Sequence, residues 1–426
     1  MRVLVVTVAV ASHLNLVVPT AWALRTAGHD VRVASQPNLM EAIGNAGLTG
    51  VPAGAALGEV IPAAPGGAGA FGVRIPLTED RPEVLAGGGA RAALVEYTER
   101  MAEFMSGSPM LDDLLELAED WRPDLVLWDA YTLAGGVFAR IVGAASVRLL
   151  SSQDYWARMH QRVLSDPRCP DDPLGDYLGA KLAPHGVEFD HRAVVGDLTL
   201  DPMPPWMRID VGAYPVRYRS MRFVPYHGRA VVPPWLTVPP ARPRICLTLG
   251  QTWRNYADEN AIHGGGPDLA ELLEAVALPG TEVVATLDPA QVRSEVPVPR
   301  TVRLFGFVPL EVLAPTCVAV VHHGGYGTVG SMLVHGVPQL VLPGDLWGER
   351  DLSRAIAAQG VGLDGAGTGP ADITAALHAL IDDPRYRAAA RREAERIRET
   401  PAPHDVVGEL EALVADREPV GGGSGA

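Results

Sequence analysis

Cysteine is scarce in this sequence, with three residues in 426, Cys169, Cys246 and Cys317. So small and widely spaced a set predicts neither a disulfide framework nor a zinc site, and it is typical of a reducing compartment. Basic charge is scarce too, because 35 Lys and Arg face 50 Asp and Glu and the formal net charge is −15. This balance argues against nucleic acid or an anionic membrane as a partner. We therefore expect a cytoplasmic protein.

Long apolar runs are also missing. No run reaches the roughly 18 residues that a membrane-spanning helix needs. The apolar start of the chain resembles a short signal peptide, but an amphipathic helix and a second strand pattern follow it at once. The beginning of the chain therefore predicts a folded α/β unit.

Strand and helix patterns alternate along the first part of the chain. Residues 3–8 form an apolar run, followed by a loop that carries His13, a helix around residues 18–27 and a β-branched run at 31–34. This order predicts a βα unit of a parallel sheet. The same reasoning predicts strands at 123–129, 244–249, 282–286, 318–322 and 339–342, and helices at 269–277, 386–398 and 404–416.

A proline-rich stretch separates two such regions. Residues 201–243 contain ten prolines, which disfavour helices and central strands and mark an inter-domain connection. We therefore predict two doubly wound, Rossmann-like α/β domains with parallel sheets that face each other. The predicted boundaries are 1–215 for the first domain, 216–243 for the linker, 244–398 for the second domain, 399–418 for a C-terminal helix that returns to the first domain, and 419–426 for a flexible tail.

The most informative motif is the glycine-rich segment 322–331, which follows a predicted strand and opens a helix. Amide groups at a helix N-terminus, together with the helix dipole, bind phosphate. Gly325, Gly327 and Gly330 also match the dinucleotide fingerprint, with Asp345 about twenty residues on. An NAD-dependent oxidoreductase is therefore an alternative, as is a tight turn that merely packs a helix on a sheet. The absence of a Gly-Lys-Ser/Thr sequence excludes a P-loop.

Ordered blocks at 323–328, 335–339 and 342–347 resemble the donor signature of GT-B, family 1 glycosyltransferases. More narrowly, nearly the whole chain resembles the actinomycete antibiotic enzymes, such as macrolide desosaminyltransferases and related polyketide deoxysugar transferases. The resemblance implies the GT-B fold, with the acceptor in the first domain and a nucleotide sugar in the second. It implies a metal-independent, inverting transfer of a deoxysugar from a thymidine diphosphate (TDP) sugar to a hydroxyl of a polyketide-type aglycone.

The resemblance also assigns residues on the acceptor side. His13 matches the general base of the family, and Asp129 matches the aspartate that orients it. An imidazole that is neutral near pH 7 suits this role. From their position after another strand end, and not from the resemblance, Tyr155, Trp156 and Met159 are expected to line the acceptor pocket, although aromatic and methionine residues at this spacing are more often plain core.

On the donor side the resemblance assigns Gly250, Thr252, Arg254, Val308, His323, Gly325, Gly327, Thr328, Ser331, Trp347 and Glu349. Ser331 stands where relatives that use uridine diphosphate (UDP) sugars carry a glutamate for the ribose hydroxyls, and a short hydroxyl suits deoxyribose. After Trp347, hexose-transferring relatives have Asp-Gln, whereas this chain has Gly348-Glu349. That change fits a sugar lacking a hydroxyl, and Glu349 would pair with the ammonium of an amino sugar.

No cofactor beyond the nucleotide sugar is expected, and the chain contains no Asp-x-Asp triplet, in agreement with metal-independent chemistry. Gly348 supports a non-enzymatic alternative, a degenerate sugar-nucleotide-binding protein that activates another transferase. The resemblance leaves open a cytochrome-P450-like auxiliary protein as a partner, and a homodimer.

Overall fold

The structure is a computed structural model, and it describes residues 1–57, 76–250, 268–290, 292, 294–344 and 347–417. In this part of the chain two parallel sheets form, one in each half of the sequence, and helices flank both. The predicted fold class, two Rossmann-like α/β domains, is confirmed.

The first sheet has the strand order β3-β2-β1-β4-β5-β6-β7, and neighbouring strands run parallel. The chain moves outward from β1 to β3 and then crosses to β4, so the topological switch point lies between β1 and β4. The strands are β1 Arg2–Val6, β2 Asp30–Ser35, β3 Thr49–Pro52, β4 Leu125–Asp129, β5 Ala145–Leu149, β6 Leu198–Asp201 and β7 Tyr218–Ser220.

The second sheet repeats this winding in the order β10-β9-β8-β11-β12-β13, again with parallel pairs. Its switch point lies between β8 and β11. The strands are β8 Arg244–Thr248, β9 Glu282–Ala285, β10 Val302–Leu304, β11 Cys317–His322, β12 Gln339–Val341 and β13 Gly362–Asp364.

Helices cover both faces of each sheet, and among those described none is long and apolar enough to cross a membrane. In the first half they are α1 Ala11–Thr26, α2 Met40–Asn45, α3 Pro82–Leu85, α4 Gly89–Tyr97, α5 Glu103–Ser106, α6 Ser108–Asp120, α7 Leu133–Val142, α8 Tyr155–Ser165, α9 Pro173–Leu182 and α10 Arg192–Val195. In the second half they are α11 Leu269–Val276, α12 Leu310–Leu313, α13 Tyr326–His335, α14 Glu349–Ala358, α15 Pro370–Asp382, α16 Pro384–Glu399 and α17 Val407–Ala415.

Strand β1 is apolar on both of its faces from Val3 onward. Successive side chains of a strand point to opposite faces, and both faces of this sheet are covered by helices. Val3 and Val5 pack in one core cluster with α1 and α17. Leu4 and Val6 pack in the other cluster, with α7.

The predicted loop at His13 was wrong, because helix α1 begins at Ala11 and holds His13 in its first turn. Pro19 lies inside this helix, although an internal proline removes a helical hydrogen bond and disfavours the turn before it. Leu14 and Val17 are almost completely buried in the first-domain core. Their burial stabilises the turns that precede the proline.

Two later segments join the first domain. Strand β7 extends the first sheet from within the region predicted to be linker. Helix α17 packs against the same sheet, where Val407 and Leu410 are buried together with Val3 and Val5 of β1. The end of the chain therefore contributes to the core of the domain that holds His13.

Candidate active site

Residues that the sequence predicts to belong to the site stand at the switch points of both sheets. His13 comes shortly after β1, and Asp129 ends the neighbouring strand β4. In the second sheet, Gly250 follows β8 and His323 follows its neighbour β11. Open parallel sheets bind ligands in the crevice at such points. The fold thus places four of the predicted site residues where a two-domain α/β protein would hold its substrates.

His13 and Asp129 are in direct contact. The Nδ1 atom of His13 lies 2.9 Å from Oδ2 of Asp129, and the exposed fractions of the two side chains are 14% and 1%. A carboxylate oxygen can only accept, so Nδ1–H of His13 is the donor. The Nε2 atom then carries the lone pair and can accept a proton.

Two further groups hold Asp129 in place. Its Oδ1 atom accepts hydrogen bonds from the backbone N–H of Tyr131 at 2.9 Å and from the hydroxyl of Ser151 at 3.2 Å. Neither residue was predicted from the sequence. Their signal is positional, because Tyr131 and Ser151 each lie two residues beyond the end of adjacent strands, β4 and β5.

In the second domain, the ring of His323 fits between two glycines. A Cβ atom added to Gly250 would lie 2.4 Å from Cε1 of His323, and one added to Gly325 would lie 2.4 Å from Nε2 of the same ring. Both distances are far below a normal contact. Gly250 and Gly325 are therefore required if His323 is to lie flat between the two loops.

The glycine loop leads into helix α13, whose N-cap is Gly325. The first helical hydrogen bond runs from Val329 N–H to the Gly325 carbonyl, so the helix leaves the N–H groups of Tyr326, Gly327 and Thr328 without intrahelical acceptors. A Cβ added to Gly327 would meet no atom within 4 Å. These amides, the hydroxyl of Thr328 and the positive end of the dipole form an anion-binding arrangement.

His322, which precedes this loop, is neutral and has one defined tautomer. Its Nδ1 atom accepts from Gly324 N–H at 3.0 Å, and its Nε2–H donates to Oε1 of Gln339 at 2.9 Å. Burial lowers the pKa of His322 from 6.5 to about 3. The ring thus ties the glycine loop to strand β12, a role that the sequence analysis missed.

Two other predicted donor residues occupy different environments. The hydroxyl of Ser331 donates to the Gly327 carbonyl one turn earlier in α13, at 2.8 Å. Val308 lies between β10 and α12 and is buried in a second-domain core cluster. Thr252 and Arg254 lie outside the described residues.

The two halves of the site meet through aromatic and backbone contacts. The ring of Tyr131 lies 5.7 Å from His13 on one side and 5.7 Å from Trp347 on the other, edge to face in both cases. The N–H of Trp347 donates to Oε2 of Glu349 at 2.7 Å. The Cβ atom of Glu349 lies 3.0 Å from the Cβ position of Gly324. A continuous chain of contacts therefore links His13 to the glycine loop.

The three predicted acceptor residues are buried. Tyr155, Trp156 and Met159 all lie in the core cluster of the first domain. Trp156 packs edge to face on Tyr97, with ring centres 4.8 Å apart, and the hydroxyl of Tyr155 reaches the second domain. A role in acceptor binding stays a prediction for these residues.

The lowered pKa of His322 predicts a pH dependence of stability. Between pH 6.5 and 3 the unfolded chain binds a proton at this residue that the folded chain does not, so the free energy of unfolding falls as the pH falls, by at most about 1.4 kcal/mol per pH unit. We expect the difference in free energy of unfolding between wild type and His322→Gln to shrink from pH 7.5 to pH 5 in denaturant titrations. The exposed His185→Gln is the matched control and should show no such change.

If His322→Gln does not fold, NMR of the wild-type ring gives the same information. The chemical shifts of His322 should stay constant from pH 7.5 to pH 5. A titration of that ring with a midpoint near 6.5 would contradict the assignment of a neutral, buried histidine.

Family models match most of the chain. They are described as "Erythromycin biosynthesis protein CIII-like", with the N-terminal domain matching residues 22–250 and the C-terminal domain residues 270–413. The chain is 40% identical to TDP-daunosamine transferase DnrS of Streptomyces peucetius, covering 99% of both sequences. It is 38% identical to 10-deoxymethynolide desosaminyltransferase of Streptomyces venezuelae, covering 97% of both.

A solved structure agrees with these matches. Glycosyltransferase VinC in complex with dTDP superposes with a TM-score of 0.85 at 38% identity, covering 98% of this chain and 100% of VinC. The matches span both sheets and both halves of the site. The chain therefore belongs to the erythromycin biosynthesis protein CIII-like family and is a glycosyltransferase of the GT-B fold.

Proposed function

We propose that the protein transfers a deoxysugar from a TDP-sugar to a hydroxyl group of a polyketide-type aglycone, with inversion at the anomeric carbon and without a metal ion. The observation that carries the proposal is the oriented His13–Asp129 pair, linked through Tyr131 and Trp347 to the glycine loop of the second domain. The relatives named above, a daunosamine transferase, a desosaminyltransferase and a dTDP-bound transferase, support the choice of donor.

On the acceptor side, His13 acts as the general base. Its Nδ1–H is held by Asp129, so Nε2 accepts the proton of the acceptor hydroxyl as the oxygen attacks the anomeric carbon. The carboxylate of Asp129 then stabilises the imidazolium. A positioned base of this kind contributes about 10²–10⁴-fold to the rate.

On the donor side, the amino end of α13 holds the leaving group. As the new carbon–oxygen bond forms, the bond from the anomeric carbon to the diphosphate breaks and negative charge grows on the diphosphate. The N–H groups of Gly327 and Thr328 and the helix dipole stabilise that charge. Arg254, which lies outside the described residues, is proposed as an additional cation. Because one displacement exchanges the two oxygens, the anomeric centre is inverted.

Ser331 supports a thymidine nucleotide. Its hydroxyl already has an acceptor within α13, the Gly327 carbonyl, and it is too short to bond both hydroxyls of a ribose. Deoxyribose lacks the 2′-hydroxyl and needs no hydrogen-bond partner for it. The 2′-hydroxyl of a ribose would lack the partner that a glutamate at position 331 provides in relatives that use UDP-sugars. An unpaired buried polar group costs about 1–3 kcal/mol.

Glu349 supports an amino sugar. Its carboxylate is buried at the first turn of α14, close to the glycine loop. Its Oε2 atom already accepts the N–H of Trp347, and an ionised carboxylate can accept several hydrogen bonds at once. The ammonium of an amino-deoxysugar at this point would form a charge-assisted contact.

The alternatives are not favoured. An NAD-dependent oxidoreductase gives no role to the His13–Asp129 pair, and the family match covers both domains. A degenerate activator protein would not need this pair either. An auxiliary P450-like protein and a homodimer stay predictions.

We expect His13→Ala and Asp129→Asn each to lower kcat by about 10²–10⁴-fold, because the first removes the base and the second no longer selects its tautomer. Steady-state kinetics with the donor varied should show little change in the donor KM. The exposed His185→Ala is the control and should keep wild-type rates. Full activity of His13→Ala would place the base elsewhere.

Isothermal titration calorimetry with nucleoside diphosphates tests the donor. TDP should bind about 5- to 150-fold more tightly than UDP, because the side chain of Ser331 is too short to hydrogen-bond both hydroxyls of the UDP ribose. Ser331→Glu should weaken TDP binding about tenfold or more by burying an unpaired carboxylate, while Ser331→Ala serves as the control for loss of the hydroxyl. Affinities should be the same with Mg²⁺ and with EDTA. Tighter binding of UDP or of NADH would contradict the proposal.

A transfer assay tests the stereochemistry and the sugar. With polyketide acceptors and TDP-deoxysugars, mass spectrometry should detect the glycoside, and NMR should show an anomeric configuration opposite to that of the donor. Glu349→Gln should lower kcat/KM for an amino-deoxysugar about tenfold more than for its neutral analogue, because a charged contact is lost. Retention of configuration, or equal effects on both sugars, would contradict the corresponding part.

A further inference from the structure

Gly348 is fitted to a tyrosine of the other domain. Its φ of +81° is in the left-handed region, and a Cβ added there would lie 1.7 Å from the hydroxyl oxygen of Tyr155 and 2.3 Å from its Cζ. No side chain can stand at position 348 while Tyr155 keeps its place. Hexose-transferring relatives carry an aspartate at this position, and here Tyr155 of the first domain occupies the space that its side chain would need.

The hydroxyl of Tyr155 is fixed by Gln153. The amide N–H of Gln153 donates to the Met207 carbonyl at 2.6 Å, so its Oε1 atom faces Tyr155 and accepts the phenolic proton at 2.8 Å. The Gly348 carbonyl and Oδ2 of Asp351 lie 3.2 and 3.3 Å from the same hydroxyl. The ring is therefore anchored in the first domain and presses against the second.

Ion pairs reinforce this contact beside Tyr155. The guanidinium of Arg158, one turn further along α8, donates to Asp351 of α14 at 3.0 Å, and the exposed fractions of the two side chains are 7% and 15%. Arg354 of α14 reaches back to Asp80 at 2.5 Å. The Arg158–Asp351 pair is shielded and is therefore screened by salt much less than an exposed pair, whereas the Arg354 side chain is 54% exposed.

The contact lies next to the candidate active site. Gly348 stands between Trp347, which packs on Tyr131 beside His13, and Glu349, which lies against the glycine loop. Moving the backbone at 348 therefore moves both neighbours. A displacement of one ångström in a positioning group is enough to cost about 10²-fold in rate.

We propose that Tyr155 and Arg158 are positioning residues for the donor side of the site, acting through Gly348 and Asp351 to hold Trp347 against Tyr131 and Glu349 against the glycine loop. This inference rests on the proposed donor site. Tyr155 contributes by its shape, because its hydroxyl fills the space beside Gly348. Arg158 contributes by its charge, through the ion pair with Asp351.

Gly348→Ala tests the fit between the two positions, and Gly360→Ala is its matched control. Gly360 follows the other end of α14 with a φ of +71°, and a Cβ there would meet no atom within 4 Å. Both variants carry the strain of a left-handed alanine, but only the first forces Tyr155 away. We expect Gly348→Ala to lower kcat/KM for the donor about 10- to 100-fold more than Gly360→Ala does.

Tyr155→Leu provides the rescue. Leucine lacks the atoms at the hydroxyl, Cζ and Cε2 positions, which are those that an alanine at 348 would meet. Tyr155→Leu alone should raise the donor KM. In that background, adding Gly348→Ala should cost no more than Gly360→Ala costs in the wild type, and this non-additivity is the signature of a direct pair.

Hydrogen exchange by mass spectrometry gives a readout that needs neither sugar nor acceptor. In Tyr155→Leu and in Arg158→Met, peptides covering residues 347–351 should exchange faster than in the wild type, while peptides of α15 stay unchanged. Failure of the wild type to bind TDP would sink the proposed donor but would leave this result readable.

Three results would overturn the inference. The first is an equal effect of Gly348→Ala and Gly360→Ala. The second is additive loss in the double variant with Tyr155→Leu. The third is a loss of activity that only follows a lowered Tm, with unchanged exchange at 347–351, which would mean that the contact merely stabilises the interface.

Discussion

The hydrogen bond between His13 and Asp129 requires that strands β1 and β4 lie side by side. Val6 pairs with Trp128 in the parallel register, so Asp129 ends its strand next to the point where the chain leaves β1 for α1. Helix α1 begins shortly afterwards, at Ala11, and its first turn places His13 within hydrogen-bonding distance of Asp129. The burial of Leu14 and Val17 in the first-domain core makes that early start stable in spite of Pro19. The geometry of the His13–Asp129 pair thus depends on the winding order of the first sheet.

The second domain uses the same winding order for a different purpose. Its switch point carries the glycine loop with its backbone amides, and Gly250 and Gly325 leave room for the ring of His323 between the two loops. Neutral His322 connects the glycine loop to β12 through its hydrogen bonds with Gly324 and Gln339. In the proposed mechanism the first sheet thus presents the proton acceptor and the second sheet the anion site, and Tyr131 and Trp347 lie between them.

Much of this arrangement could be predicted from the sequence. Apolar runs bounded by turn residues locate the strands and the glycine loop, and the resemblance to family 1 glycosyltransferases assigns His13 and Asp129. The helical start at Ala11 could not be predicted, because local propensity around Pro19 opposes it and only tertiary burial decides the outcome. Gly348 could be noted as an unusual residue, but Tyr155 is 193 positions away in the chain, so its fit to that glycine becomes visible only in three dimensions.

The proposed mechanism requires that the amide groups at the start of α13 bind the departing diphosphate opposite the Nε2 atom of His13. An experimental structure of the protein with TDP bound measures this directly. Phosphate oxygens should lie within hydrogen-bonding distance of the N–H groups of Gly327 and Thr328, with open space for an acceptor between the diphosphate and His13. A diphosphate bound away from these amides, or protein atoms that separate it from His13, would rule the mechanism out.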